Sequence, residues 1–161
     1  MSKRAVYAGS FAPVHLGHIY LLEQACALFD EVHILLASNI EKQGIFSAQF
    51  RMELLKLATQ EFKNIQLVCL NGFVADYMLK NNIEYAIRGV RDSNDYCYEQ
   101  NMANANAKLN KNCKTILLPT RQDLSHISSS LVRECLRYNK SVAEFVPSSI
   151  LSLLQKYPNG K

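Results

Sequence analysis

The sequence predicts an α/β protein built on a doubly wound, five-stranded parallel sheet. Five short apolar runs alternate with segments of helical periodicity, which is typical of parallel strands joined by helical crossovers. The runs are apolar almost throughout, as expected for strands that are covered on both faces of a sheet. A chain of 161 residues with no internal repeat and no linker-like stretch predicts one domain, residues 1–161.

The strands are predicted where a short apolar run is bounded by polar or glycine-containing segments. In chain order the runs are RAVYAG (4–9), VHILLAS (32–38), IQLVCL (65–70), EYAIRG (84–89) and KTILLP (114–119). In an open sheet of this kind, ligands bind beyond the carboxyl ends of the strands. Residues that directly follow these runs are therefore the candidates for a functional site.

The segments between the strands have the spacing of amphipathic helices. In the first helix, an apolar stripe is formed by Ile19, Leu22, Cys26 and Phe29. Ser47 is suited to cap the second helix. In chain order the predicted helices cover residues 16–29, 48–62, 74–82, 93–110, 128–139 and 147–157.

Composition limits the kinds of partner and the location that the protein can have. The net charge is +4 and the basic residues are scattered along the chain. This favours an anionic small molecule over nucleic acid, because nucleic-acid binding requires a clustered basic face. No window approaches 18 consecutive apolar residues, so no membrane span is predicted. The five cysteines contain no C-x-x-C pair, and no signal-peptide pattern is evident. These features predict a reducing, cytoplasmic location.

The segment GSFAPVHLGH, residues 9–18, gives the sharpest indication of function. Gly9 and Ser10 follow the first strand, where glycine allows a tight turn and close approach to a ligand. The helix predicted from Leu16 directs its free N–H groups and positive dipole end toward this turn, which favours an anion. A protonated histidine is disfavoured there unless negative charge is present, and a bound phosphate would supply it. The pattern therefore predicts a phosphate site at His15 and His18, the alternative being two incidental histidines.

Arginines follow the fourth predicted strand. Arg88 and Arg91 flank Gly89, and the planar fork of a guanidinium group suits phosphate oxygens. The alternative is surface ion pairing with Asp92 or Asp95.

Three further features are weaker when each is taken alone. Lys42 follows the second run and is a candidate phosphate contact or a solvated lysine. Glu99 is a candidate acceptor for ribose hydroxyls or a solvated helix residue. The serines of 128–130 can cap a helix and offer hydroxyl and N–H groups to an anion.

Together these segments resemble the bacterial phosphopantetheine adenylyltransferases of the H-x-G-H nucleotidyltransferase superfamily, over nearly the full length. The resemblance is carried by YAGSFAPVHLGH, EKQGIFS, IRGVRDSNDYCYEQNMANANAKL and ISSSLVRE. It implies a Rossmann-like nucleotidyltransferase fold and transfer of the adenylyl group of ATP to 4'-phosphopantetheine, giving dephospho-coenzyme A and pyrophosphate. This is the penultimate step of coenzyme A biosynthesis. The resemblance also implies Mg²⁺ with ATP, a homohexamer, and feedback inhibition by coenzyme A.

The resemblance also implies roles for individual residues. His18 would stabilise the transition state, assisted by Lys42 and Arg91. The ATP contacts would be Ser10, Phe11, His18, Gly89, Val90, Arg91, Glu99, Leu124, Ser125, His126, Ile127, Ser128, Ser129 and Ser130. The phosphopantetheine contacts would be Ser10, Lys42, Val74, Arg88, Met102 and Asn106. The substrate phosphate would attack the α-phosphorus in line, so that catalysis consists of positioning and charge stabilisation without an enzyme nucleophile.

Some positions depart from the family pattern. Ala12 stands in place of the usual aspartate, His15 in place of threonine or serine, and Leu124 and His126 where aromatic residues are common. Two alternatives stay open. A nicotinate mononucleotide adenylyltransferase fits the first motif but not the central R-G-V-R segment. A non-catalytic ATP-sensing module would have little need for His18.

Overall fold

The computed structural model describes residues 2–38 and 46–156, and within them five parallel strands form one sheet. The elements are β1 (Arg4–Gly9), α1 (Leu16–Leu28), β2 (Glu31–Ala37), α2 (Ala48–Ala58), β3 (Ile65–Leu70), α3 (Val74–Asn81), β4 (Tyr85–Val90), α4 (Ser93–Leu109), β5 (Lys114–Pro119), α5 (Ser129–Arg137) and α6 (Ser148–Lys156). The strand order is β3-β2-β1-β4-β5. This confirms the predicted fold class.

Successive residues of β1 point to opposite faces of the sheet, as the period of a strand requires. Ala5 and Tyr7 belong to the larger core, which also contains residues of α1, α2, α5 and α6. Val6 and Ala8 belong to the smaller core, which contains Met78 of α3. Both faces are therefore covered, which is why the strands are apolar almost throughout.

The six predicted helices are observed with boundaries that differ by one to four residues at one or both ends, and two of these boundaries show their local interactions. The helix predicted over 48–62 ends at Ala58, and Thr59 is its C-cap: both the N–H and the hydroxyl of Thr59 donate to the carbonyl of Leu55, at 3.1 and 2.7 Å. The helix predicted from residue 128 begins at Ser129, since the Ser128 side chain accepts from the N–H of Leu131 at 3.1 Å as its cap. The predicted cap at Ser47 is confirmed, with its hydroxyl accepting from the N–H of Phe50 at 3.2 Å.

The sheet reverses its winding between β1 and β4. The chain passes from β1 outward through β2 to β3, and then returns to the other side of β1 for β4 and β5. β1 and β4 are therefore neighbours, with Tyr7 paired to Ile87. Crossovers that leave in opposite directions open a crevice at the carboxyl ends of such strands. Both the Gly9–Ser10 turn and the arginines around Gly89 lie at this place.

Candidate active site

A cavity of about 540 Å³ lies at the carboxyl ends of β1 and β4. Its lining comes from the turn after β1, the start of α1, the end of β4, helix α4 and the segment before α5. Twelve of the sequence-predicted residues line it: Ser10, His15, His18, Val74, Arg88, Gly89, Arg91, Glu99, Leu124, Ile127, Ser128 and Ser129. The fold thus brings together residues that are separated by more than a hundred positions in the sequence.

Other predicted residues lie beside this cavity and do not line it. Phe11 is only 1% exposed, and its ring packs edge-on against Tyr7 and His18, so its side chain is not available to a ligand. The exposed ring of His126 lies edge-on to Phe145. Val90, Ser125 and Ser130 are likewise absent from the lining. Lys42 lies outside the described residues.

A second cavity of about 190 Å³ adjoins the first. The two cavities share Ala8, Val74 and Arg88 in their linings. The smaller one is also lined by Met102 and Asn106, the remaining predicted contacts of the pantetheine arm that the structure describes. Arg88 therefore stands where the two cavities meet.

His15 and His18 stack at the start of α1, with ring centroids 3.6 Å apart. The main-chain N–H of His15 donates to Nδ1 of His18 at 3.1 Å. Because Nδ1 accepts, the proton of a neutral His18 ring is carried by Nε2, which leaves Nε2–H as a donor. The ring thus has one defined tautomer.

Both imidazoles are held neutral. Burial, and secondly the charge of Arg91, lowers the pKa of His15 from 6.5 to about 4. Burial, followed by His15, Arg91 and Arg88, holds the pKa of His18 well below 6.5. This agrees with the expectation that a protonated histidine is disfavoured at a helix start that holds no anion.

Arg88 and Glu99 form a bidentate ion pair. Arg88 Nε and Nη2 donate to the two carboxylate oxygens of Glu99, each at 2.7 Å. Arg88 Nη1 donates to the carbonyl of Ala8 at 2.7 Å, which ties β4 to β1. Burial opposes the charge of Arg88, but the Glu99 hydrogen bonds and charge raise its pKa overall. Glu99 is 7% exposed, so the alternative of a solvated helix residue was wrong.

Arg91 forms an ion pair with a neighbour on the following helix. Its Nε donates to Asp95 Oδ2 at 2.8 Å. This pair, chiefly through its hydrogen bond, raises the pKa of Arg91 and lowers that of Asp95. The alternative of surface ion pairing is therefore confirmed for Asp95, while Asp92 caps α4 by accepting from the N–H of Asp95 at 2.9 Å. Because Arg91 also lines the cavity, the pair does not remove it from the site.

Among the described residues, no cluster of side chains is arranged as a preformed metal site. Mg²⁺ prefers oxygen ligands, commonly one or two carboxylates together with substrate phosphates. No group of three histidine, cysteine, aspartate or glutamate side chains among the described residues is arranged to hold a metal ion. The two carboxylates that line the main cavity, Asp95 and Glu99, are both paired with arginines.

Two arginines that support the site, Arg51 and Arg133, were not predicted. Carbonyls of β1 and the turn that follows it accept hydrogen bonds from side chains of other elements: Ala8 from Arg88, Ser10 from Arg51, Ala12 from Arg133, and Pro13 from Ser129. Arg51 and Arg133 lie within helical patterns, where an isolated arginine is usually solvated. No local signal in the sequence could have identified them.

Comparison with known proteins extends these observations. Residues 6–135 match the family model described as cytidylyltransferase-like. A phosphopantetheine adenylyltransferase of Streptococcus agalactiae serotype Ia is 40% identical over 157 residues, covering 97% of this chain and 98% of that protein. A second, of Actinobacillus pleuropneumoniae serotype 3, is 35% identical over 156 residues, covering 97% and 99%. A third, of Lachnoclostridium phytofermentans, is 33% identical over 159 residues, covering 99% and 98%.

A solved structure has the same fold. It is the crystal structure of a proposed nicotinate-nucleotide adenylyltransferase from Vibrio parahaemolyticus. Its TM-score is 0.69, its sequence is 18% identical, and the match covers 97% of each chain. At this level of identity the likeness concerns the fold alone.

Proposed function

The chain belongs to the phosphopantetheine adenylyltransferase family, within the cytidylyltransferase-like proteins, and on that premise we propose the reaction that it performs. It transfers the adenylyl group of ATP to 4'-phosphopantetheine, giving dephospho-coenzyme A and pyrophosphate. The structural observation that carries the proposal is one cavity in which the H-x-G-H turn and the start of α1 face Arg88 and Arg91. Such a site gathers helix N–H groups, a histidine donor and two guanidinium groups around phosphates.

His18 is the proposed transition-state stabiliser. A phosphate oxygen of 4'-phosphopantetheine attacks the α-phosphorus of ATP, and the bond from that phosphorus to the bridging oxygen of pyrophosphate breaks. Negative charge shifts among the α-phosphate oxygens as this occurs. The Nε2–H of a neutral His18 can donate to one of them without any change in protonation of the ring. The described residues need supply no nucleophile, because the substrate phosphate is itself largely ionised at neutral pH.

Arg88 is proposed to hold the phosphate of 4'-phosphopantetheine. It stands between the main cavity and the smaller one, which Val74, Met102 and Asn106 line. A phosphate near Arg88 would let the pantetheine arm extend into the smaller cavity. Glu99 enters the proposal chiefly as the partner of Arg88, because both of its carboxylate oxygens are engaged there.

The nucleotide is proposed to lie along the other wall of the main cavity. Ser10, the Phe11 main chain, Gly89, Val90 and Arg91 would contact its phosphates. The segment 124–130 would contact the rest of the nucleotide, where the N-terminus of α5 adds free N–H groups. Lys42 would complete the charge around the phosphates.

Four expectations stay predictions from the family resemblance. Mg²⁺ would enter with ATP, with the nucleotide phosphates among its ligands. Feedback inhibition by coenzyme A and a cytoplasmic location are also proposed. Among the described helices, none is both long and apolar enough to cross a bilayer. A homohexamer is likewise proposed from the family resemblance alone.

Pyrophosphate release tests the proposed reaction. The purified protein is given ATP and Mg²⁺ with either 4'-phosphopantetheine, nicotinate mononucleotide or no acceptor. Release with 4'-phosphopantetheine alone is expected, and mass spectrometry should identify dephospho-coenzyme A. Release only with the mononucleotide would replace the substrate assignment. Release with neither acceptor, from folded protein that binds ATP, would favour a sensing module.

A further inference from the structure

Arg51 is a buried arginine that lies close to the site and does not line it. It belongs to α2 and is 6% exposed. Its Nη1 donates to the carbonyl of Ser10 at 2.6 Å and to the carbonyl of Ala37 at 3.1 Å. The first carbonyl belongs to the turn after β1, and the second ends β2. Burial lowers the pKa of Arg51, yet a guanidinium group stays protonated in a protein. Both hydrogen bonds are therefore charge-assisted.

The bond to Ser10 sets the orientation of one peptide group. The peptide between Ser10 and Phe11 is trans, so its carbonyl and the N–H of Phe11 point in opposite directions. Ser10 lines the main cavity and Arg51 does not. The N–H of Phe11 therefore points away from Arg51, and the two carbonyls that Arg51 holds belong to residues that line the cavity, Ser10 and Ala37.

The conformation of the turn requires such support. Phe11 has a φ of 44°, in the left-handed region that residues other than glycine rarely adopt. Backbone in that region costs on the order of 1–3 kcal/mol and persists only where the surroundings hold it. The Phe11 ring is fixed in the core, and Arg51 holds the peptide that precedes it. The turn is thus fixed from both of its ends.

We propose that Arg51 is a positioning residue for the proposed adenylyl transfer. By holding the Ser10 carbonyl, it presents the N–H of Phe11 and the Ser10 hydroxyl to an ATP phosphate oxygen. This role rests on the proposed function, because it needs a phosphate in the main cavity. It differs from a purely structural role, since its loss should affect turnover more than folding.

Three variants separate these roles. Arg51→Gln removes the charged donor, Arg51→Lys keeps the charge with a different geometry, and Lys56→Gln removes an exposed charge from the same helix as a control. For Arg51→Gln we expect kcat to fall about 10- to 100-fold, less than the loss from deleting a transition-state donor outright. The KM for 4'-phosphopantetheine should stay within about threefold, because Arg88, the proposed main contact of its phosphate, is unchanged. Arg51→Lys should recover part of kcat, and Lys56→Gln should match the wild type.

An NMR measurement supplies a readout that a structural role would not move. In ¹⁵N-labelled wild-type protein, added ATP should shift the Phe11 amide resonance, and in Arg51→Gln this shift should shrink while other cavity amides still respond. A folded Arg51→Gln protein with wild-type kcat and Phe11 shift would overturn the inference. Where Arg51→Gln does not fold, wild-type kcat and Phe11 shift in a folded Arg51→Met protein, which also lacks the charged donor, would overturn it.

Failure of the proposed function can be distinguished from failure of the role proposed for Arg51. A wild-type protein that releases no pyrophosphate with 4'-phosphopantetheine shows that failure before any variant is made. A Phe11 amide that ignores ATP in wild-type protein that binds ATP overturns the role of Arg51, whatever the acceptor substrate is.

Discussion

Replacing His18 with alanine tests the centre of the proposed mechanism. The substitution removes the Nε2–H donor and the Nδ1 that accepts from the His15 N–H at 3.1 Å. It also removes a ring that stacks on His15 and meets Phe11 edge-on. Two effects are expected, a loss of transition-state stabilisation and a smaller loss of fold stability.

The expected size of each effect follows from the interaction that the substitution removes. Deleting one donor that stabilises charge in a transition state typically lowers kcat by about 100- to 1,000-fold. Losing the helix-start hydrogen bond resembles the loss of a helix cap, which costs about 1 kcal/mol of unfolding free energy. ATP affinity should change by less than about tenfold, because the helix N-terminus and the arginines remain. The loss should therefore appear in kcat and only slightly in ATP binding.

The assay combines single-turnover pyrophosphate release with ATP binding by calorimetry. Gln24→Ala, an exposed position on the same helix, serves as the control. Thermal unfolding of both variants shows whether the protein is folded at the assay temperature. A folded His18→Ala protein with near-normal kcat would refute the donor role. A loss of ATP binding equal to the loss of kcat would instead make His18 a ground-state contact.

Three further predictions concern the charged groups around the site. The pKa of His15 falls from 6.5 to about 4 on folding, so the unfolded chain binds more protons between these values. Unfolding free energy should hence drop as the pH falls through that window, by up to about 1.4 kcal/mol per unit from this group, as urea titrations at several pH values can measure. An unchanged slope in His15→Gln would contradict this. Glu99→Gln weakens the hold on Arg88 and should cost about 1–3 kcal/mol of stability, less than a fully buried pair because Arg88 is partly exposed. It should also raise the KM for 4'-phosphopantetheine, and kinetics identical to the wild type would argue against the Arg88 assignment. Lys42→Ala should impair mainly the productive placement of 4'-phosphopantetheine, and unchanged kinetics for that substrate would remove Lys42 from the site.

The sheet could be predicted from the sequence because its signals are local. The runs RAVYAG, IQLVCL and KTILLP coincide with β1, β3 and β5 as observed. Helix ends were less well predicted, as at Thr59, where a side-chain hydrogen bond to the preceding turn accompanies the end of α2. The free-energy difference between one more helical turn and a loop is small, so the exact end of a helix leaves a weak trace in composition.

The features of the site also fall into two groups, those that neighbouring residues in the sequence determine and those that only the folded chain brings together. The sequence by itself determined that a glycine-serine turn, two histidines and a helix start follow β1, and that two arginines end β4, because these residues are close along the chain. Only the tertiary structure decided that Glu99 engages Arg88, and that Arg51 and Arg133 hold carbonyls 41 and 121 residues away. Those contacts depend on β1 and β4 being neighbours and on which helix covers which face. Apolar periodicity predicts that a helix has a buried face, but the partner of that face is chosen when the whole chain packs.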